Sequence, residues 1–337
     1  MTTSSDLKKP FFTTSTSSTL SNIRRAVIGL GLIAVLPLAM AQDKPNLKIL
    51  VGFPAGGSVD VLARIVGDAV RDDYASVMVD NKPGAAGRIA LTQLKNAKPD
   101  GQTVIILPMG PMVIFPHTYK KLDYDAFKDF TPVSQLAVSQ FGVVAGPSAG
   151  ASSVKEMLAK VKADPKLGNY GTPGAGSVPH FLGVMMEQAT GAPLNHVPFS
   201  GGAPANTALL GGHVQYKFDV VSETVQFHRD GKVKIIAVAG SKRDSLIPDV
   251  PTLKEQGVNV ETNVWFAMYA PANVPAEVLA KLEKSVVAGL RKKDVFEKLD
   301  KLGYDVTATT SQGLAAIHKA DYARWEKPIK ATGIALD

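Results

Sequence analysis

Short apolar runs alternate with stretches of helical period along most of the chain. The runs LKILVGF (47–53), SVMVD (76–80), TVIIL (103–107), FGVVA (141–145), LNHVP (194–198), YKFDVV (216–221), KIIAVAG (234–240) and WFAMYA (265–270) read as strands. Over 58–72, Val61, Ile65 and Ala69, with Leu62, Val66 and Val70, recur at i and i+4, which predicts an amphipathic helix. Such alternation predicts α/β layers with mostly parallel sheets. After Ala270 the pattern changes to three helices, one starting at Pro275, one over 295–302 and one over 311–332. They are expected to pack back on an existing sheet. Two α/β lobes follow, lobe 1 from 42–144 and 264–337 and lobe 2 from 145–263, with crossings near 143–146 and 263–267.

The first 41 residues have a different character. Lys8, Lys9, Arg24 and Arg25 precede an apolar stretch over 26–40, which closes on Ala39-Met40-Ala41 before polar Gln42-Asp43-Lys44. A basic start, an apolar core and a small-x-small end describe a secretory signal peptide over 1–41, cut after Ala41, and a periplasmic product. Fifteen residues that include Gly29, Gly31 and Pro37 are short for a membrane span of roughly 20 residues.

Composition narrows the function classes. Cysteine is absent, which removes disulfides, thiolate metal sites, a Cys nucleophile and a lipid-modified N-terminal Cys. The leader holds four of the 37 Lys and Arg and one of the 30 Asp and Glu, so residues 42–337 carry a net charge of +4. That balance is modest, and with 7% aromatic residues and no nucleic-acid motif, no nucleic-acid partner is expected. The six histidines lie at least 15 residues apart, so no local metal pair forms, and neither metal nor cofactor is expected.

Three strand-to-helix junctions carry the candidate chemistry. FPAGGSVDVLAR (53–64) runs from a buried strand through a Pro-Ala-Gly-Gly turn, and Ser58 stands where an N-cap belongs. Glycines let the backbone approach a ligand, and a helix start presents unpaired N–H groups to an anion. Arg64 is expected to pair with Asp60 at i, i+4. The design recurs in NYGTPGAGSVPHFLG (169–183) and PFSGGAPANTALLGG (198–212). Loops beyond the carboxyl ends of strands are where open α/β sheets bind ligands, so the three are expected to line one cleft. Since none of the turns contains Lys or Arg, a carboxylate ligand would be held by N–H and hydroxyl groups.

One motif points to an enzyme instead. Gly146-Pro147-Ser148-Ala149-Gly150 matches G-x-S-x-G after a strand, the setting of an α/β-hydrolase nucleophile, with His318 as the available downstream base. Against it, the next helix is expected to start at Ser152 or Ser153, and no HGGG-type oxyanion motif is present.

Eight stretches in order, FPAGGSVDVLAR, NKPGAAG (81–87), KPDGQTV (98–104), DFTPVSQ (129–135), YGTPGAGSVPH, HVPFSGGAPA (196–205), LLGGHV (209–214) and IPDVPTLKEQG (247–257), resemble the Bug-type solute receptors. These are the periplasmic substrate-binding proteins of tripartite tricarboxylate transporters. The resemblance implies a type II periplasmic-binding-protein fold, two α/β lobes around a ligand cleft. It also implies a non-enzymatic receptor, expected as a monomer, that captures a small carboxylate-bearing molecule and delivers it to membrane transporter subunits. A receptor presenting its ligand to a sensor protein is the alternative. By position, the first ligand loop holds Phe53, Ala55, Gly56, Gly57, Ser58 and Asp60. The second holds Thr172, Gly174, Ala175, Gly176 and Ser177 with His180, and the third Ser200, Gly201, Gly202 and Ala203. Asp219 would face the cleft beside them and, as an anion, suits a ligand ammonium or a water better than a carboxylate. Lys82, Phe199, Ser200 and Phe266 depart from the residues frequent in the family.

Overall fold

The computed structural model describes residues 44–337, so the expected signal peptide and its expected cut after Ala41 lie outside the described residues. Among the described residues, no helix is long and apolar enough to cross a membrane.

Ten strands, β1 (Asn46–Val51), β2 (Ser76–Asn81), β3 (Thr103–Pro108), β4 (Phe130–Ala145), β5 (Asn169–Thr172), β6 (Asn195–Pro198), β7 (Tyr216–Val220), β8 (Lys234–Val238), β9 (Asn263–Pro271) and β10 (Asp305–Val306), run in the order β2-β1-β3-β9-β4-β7-β5-β6. β8 and β10 both pair with β4. The helices are α1 (Ser58–Ala69), α2 (Arg88–Lys95), α3 (Gly110–Val113), α4 (Phe115–Thr118), α5 (Val154–Ala163), α6 (Val178–Thr190), α7 (Gly202–Leu210), α8 (Val225–Arg229), α9 (Ala276–Leu290), α10 (Lys293–Asp300) and α11 (Ser311–Ala331).

The expectation of mostly parallel sheets is corrected. β1 pairs in parallel with β2 and β3, and β5 with β6 and β7, but β9 and β4 run antiparallel to their neighbours. The cause is β4, a strand of 16 residues rather than the short run over 141–145. Its first part pairs with β9 from Phe130 to Gln140, and from Phe141 onward it pairs with β7 and β8. Pro132 cannot donate to a ladder, and the register slips between Pro132 and Ser134, which is how a proline sits within a strand. Buried Ser134 and Gln135 interrupt the apolar pattern; the Ser134 hydroxyl donates to the Thr309 carbonyl at 2.7 Å, and the Thr309 hydroxyl accepts the Gln135 backbone N–H at 2.9 Å.

The four buried residues of β1, Leu47, Ile49, Leu50 and Val51, are shielded because helices cover the parallel strands. α1 lays Val59, Leu62, Ala63 and Val66 into that core. The C-terminal helices do pack back on the existing sheet, α9 and α11 both lying against β4. In α6, Gly183 lets the helix rest on Tyr170 of β5: a Cβ there would stand 2.3–2.6 Å from the Tyr170 ring. That ring is 1% exposed and stacks on Phe218 at 4.6 Å, so it has nowhere to move. Gly183→Ala is expected to cost at least about 1–3 kcal/mol, read as a lowered urea midpoint at unchanged slope; an unchanged midpoint would mean α6 can shift freely.

Candidate functional site

The carboxyl ends of β1, β3, β5 and β7 open on one cavity. Gly57 and Ser58 enter it from the start of α1, Ser177, Val178 and Pro179 from the start of α6, and Gly202 from the start of α7. Phe141 of β4 with Val264 and Phe266 of β9 also line it. Phe53, Pro54, Ala86, Pro108, Pro111, Phe115 and Pro173 leave most of the wall apolar. This is the placement expected of ligand sites in open α/β sheets, with helix starts supplying N–H groups.

The sequence-predicted residues divide into those that face this space and those that support it. Phe53, Gly57, Ser58, Ser177, Gly202 and Asp219 line the cavity, while Gly56 and Ala203 border an adjoining pocket that also reaches Ser58. Ala55 and Ser200 are exposed at the loop surfaces. Asp60 is 3% exposed and faces inward beneath its loop. It accepts the Gly56 N–H at 2.9 Å, Asn81 Nδ2 at 3.0 Å, and Arg64 Nε and Nη2 at 3.0 and 2.9 Å, confirming the expected i, i+4 pair. Burial raises its carboxyl, but the bonds from Arg64, Gly56 and Asn81 outweigh that and hold it below the usual range. Asp60 therefore braces the first loop.

The second loop is bolted internally. Thr172 Oγ1 donates to the Gly174 carbonyl at 3.1 Å and lies 2.6 Å from His196 Nε2; Ser177 Oγ donates to the same carbonyl at 2.7 Å. The Gly176 N–H donates to His180 Nδ1 at 3.1 Å, and the Ala175 carbonyl accepts from Tyr119 Oη at 3.4 Å. His180 thus holds the loop from beneath, stacked on His196 with ring centroids 3.8 Å apart. The third loop meets the first: a Cβ on Gly201, whose φ is +153°, would stand 2.8 Å from Pro54 Cδ.

Two expectations at the helix starts change. Gly57, rather than Ser58, is the N-cap of α1, and it provides no side-chain bond. The acceptor comes from far along the chain, as the Ser58 N–H donates to the Glu223 carboxylate, 165 residues away. Glu223, which the sequence reading missed, ends a short 3-10 turn directly after β7 and lines the cavity. Its place just past a strand's carboxyl end was the available signal. Beside it, Lys217 Nζ is fully buried, 2.9 Å from Asp219 Oδ2 and donating to Asn206 Oδ1 at 2.8 Å. Burial, and next the Asp219 charge, raise the Glu223 carboxyl above its ordinary range, although Lys217 and Ser58 pull it down.

The enzyme motif is not assembled into a pair. Ser148 lies in an exposed turn before α5, which starts at Val154 with Ser153 as its N-cap, just past the expected start at Ser152 or Ser153. His318 is buried, with Nε2 3.1 Å from the Met112 carbonyl and its ring stacked on Phe127. Among the described residues, no cluster of His, Asp and Glu is arranged to hold a metal ion.

Known proteins share both fold and sequence with this chain. The periplasmic binding protein BugD is 31% identical, with a TM-score of 0.82 over 87% of this chain and 99% of its own. An R. palustris protein solved with adipate is 29% identical, TM-score 0.84, over 87% and 99%. MatC from Rhodopseudomonas palustris, with bound malate, is 30% identical, TM-score 0.80, over 85% and 99%. The mixed α/β architecture is that of these periplasmic binding proteins. The model of the tripartite tricarboxylate transporter family receptors matches residues 62–334, and the chain belongs to that family.

Proposed function

We propose that this protein is a receptor that closes two lobes, one ending at residue 144 and resuming over 264–337 and the other over 145–263, on a small carboxylate-bearing molecule. It then delivers that molecule to membrane transporter subunits. The observation that carries this reading is the convergence of three helix starts, those of α1, α6 and α7, on one largely apolar cavity. Helix N-termini favour anions, and hydrogen bonds to a charged group are worth about 1.5–3 kcal/mol each. The adipate and malate of the two neighbours are small carboxylates of this kind. The switch of β4 from β9 to β7 and β8 at Gln140–Phe141, a few residues before the expected crossing, supports a hinge there. Ser148 is exposed in a turn while His318 is buried against the Met112 carbonyl, which favours binding without turnover. Export through the leader cut after Ala41 would place the receptor in the periplasm.

Calorimetry with linear carboxylates of four to eight carbons, followed by small-angle scattering at saturation, tests the reading. Binding with a smaller radius of gyration is expected, since ligand that bridges two lobes favours the closed state. Binding without any contraction would remove the two-lobed clamp; no binding by any of these acids would remove the carboxylate reading.

A further inference from the structure

We propose that Glu223 sets the ligand class by occupying the anion seat at the start of α1, so that the ligand end placed there is a hydrogen-bond donor, an ammonium above all. This rests on the receptor reading above and narrows it.

The seat at α1 is already filled by a carboxylate belonging to the protein. Glu223 accepts the Ser58 N–H, and its carboxylate is cradled by glycines of two helix starts. A Cβ on Gly57 would stand 3.3 Å from Oε1, and one on Gly202 would stand 2.6–2.7 Å from the carboxyl atoms. No side chain other than hydrogen leaves room for the group at Gly202. A ligand carboxylate would have to displace Glu223 or lie against it.

Charge decides between those partners. Asp219 lines the same cavity, and among the described residues the ammonium built in beside the pair is Lys217, 2.9 Å from Asp219 and donating to Asn206. Arg64 is committed to Asp60. Two carboxylates against one ammonium leave the wall an acceptor in excess, and Phe53, Phe115, Phe141 and Phe266 offer no compensating charge nearby. An ammonium supplies the missing counter-ion and donors for the remaining acceptor positions of the Glu223 carboxylate. The raised affinity of Glu223 for a proton is the same demand seen from its own side. The start of α6, at Ser177 and Val178, remains as the seat for the ligand's carboxylate.

The test compares dicarboxylates with ω-amino acids of equal length, from four to eight carbons and including adipate and 6-aminohexanoate. Each is titrated calorimetrically into the wild-type protein, Glu223→Gln and Gly202→Ala. The wild type is expected to bind the best ω-amino acid at least about tenfold more tightly than its dicarboxylate. Glu223→Gln keeps the shape, removes the charge and is expected to shrink that ratio at least about tenfold, with the dicarboxylate gaining. Gly202→Ala displaces the carboxylate without changing its charge and should shrink the ratio as well. A wild type that prefers the dicarboxylate overturns the proposal whether or not either variant folds, as does a ratio unmoved by Glu223→Gln. Either result leaves carboxylate capture standing; failure of every compound on every form rejects both.

Discussion

Replacing Lys217 with methionine is expected to destabilise the protein by about 3–5 kcal/mol. The ammonium is completely buried, pairs with Asp219 at 2.9 Å and donates to Asn206 at 2.8 Å. Methionine keeps the length of the stem but leaves the buried Asp219 carboxylate without its cation. Water cannot replace the lost charge at an atom that solvent does not reach, so the cost is that of an uncompensated buried carboxylate rather than of one lost bond. Urea unfolding should show it directly. In the double variant Lys217→Met with Asp219→Asn, most of the loss should return, because the orphaned charge has gone with its partner. A single-variant loss below about 1 kcal/mol would mean that the pair contributes no more than an exposed ion pair.

The stacked histidines under the second loop give the other large effect, in acid. Burial pushes His180 down to about 4, and burial together with the neighbouring His180 pushes His196 down to about 3. In the unfolded chain both would titrate near 6.5. Below that pH the unfolded state takes up protons that the folded state resists. The stabilisation is therefore fully present above about pH 6.5 and is lost as pH falls toward 4 and then 3. Two such groups contribute on the order of 3–5 kcal/mol between pH 6.5 and 4.5. The physical conflict is specific, since His180 Nδ1 accepts the Gly176 N–H and cannot also carry a proton there. Urea midpoints measured from pH 7 to 4.5 should fall steeply, and the double variant His180→Gln with His196→Gln should flatten that fall. An equally steep fall in the double variant would assign the acid sensitivity to other groups.

The linear sequence by itself determined those features whose cause lies within a few neighbouring residues. Continuous apolar runs made β1 and β3 buried strands because helices cover both faces, and the i, i+4 pattern over 58–72 made α1, although the helix ends at Ala69 and a 3-10 turn takes Arg71–Asp73. Pro275 marks the start of α9 for an equally local reason, standing as its N-cap directly before Ala276. The three glycine-rich junctions and the Asp60–Arg64 pair were legible in the same way.

Tertiary structure decided whatever depends on a partner distant in the chain. The first part of β4 was hidden because its buried Ser134 and Gln135 look like solvent positions, and the Ser134 hydroxyl is met by the carbonyl of Thr309, more than 170 residues on. The antiparallel half of the sheet follows from that same strand. Within the loops, sequence could not separate Asp60 and Thr172, which hold the backbone from behind, from Gly57 and Gly202, which face the cavity. Nor could it tell that the cap for Ser58 would come from Glu223. An unpaired N–H is a local property of any helix start, but the acceptor that meets it is chosen by the packing of the whole chain.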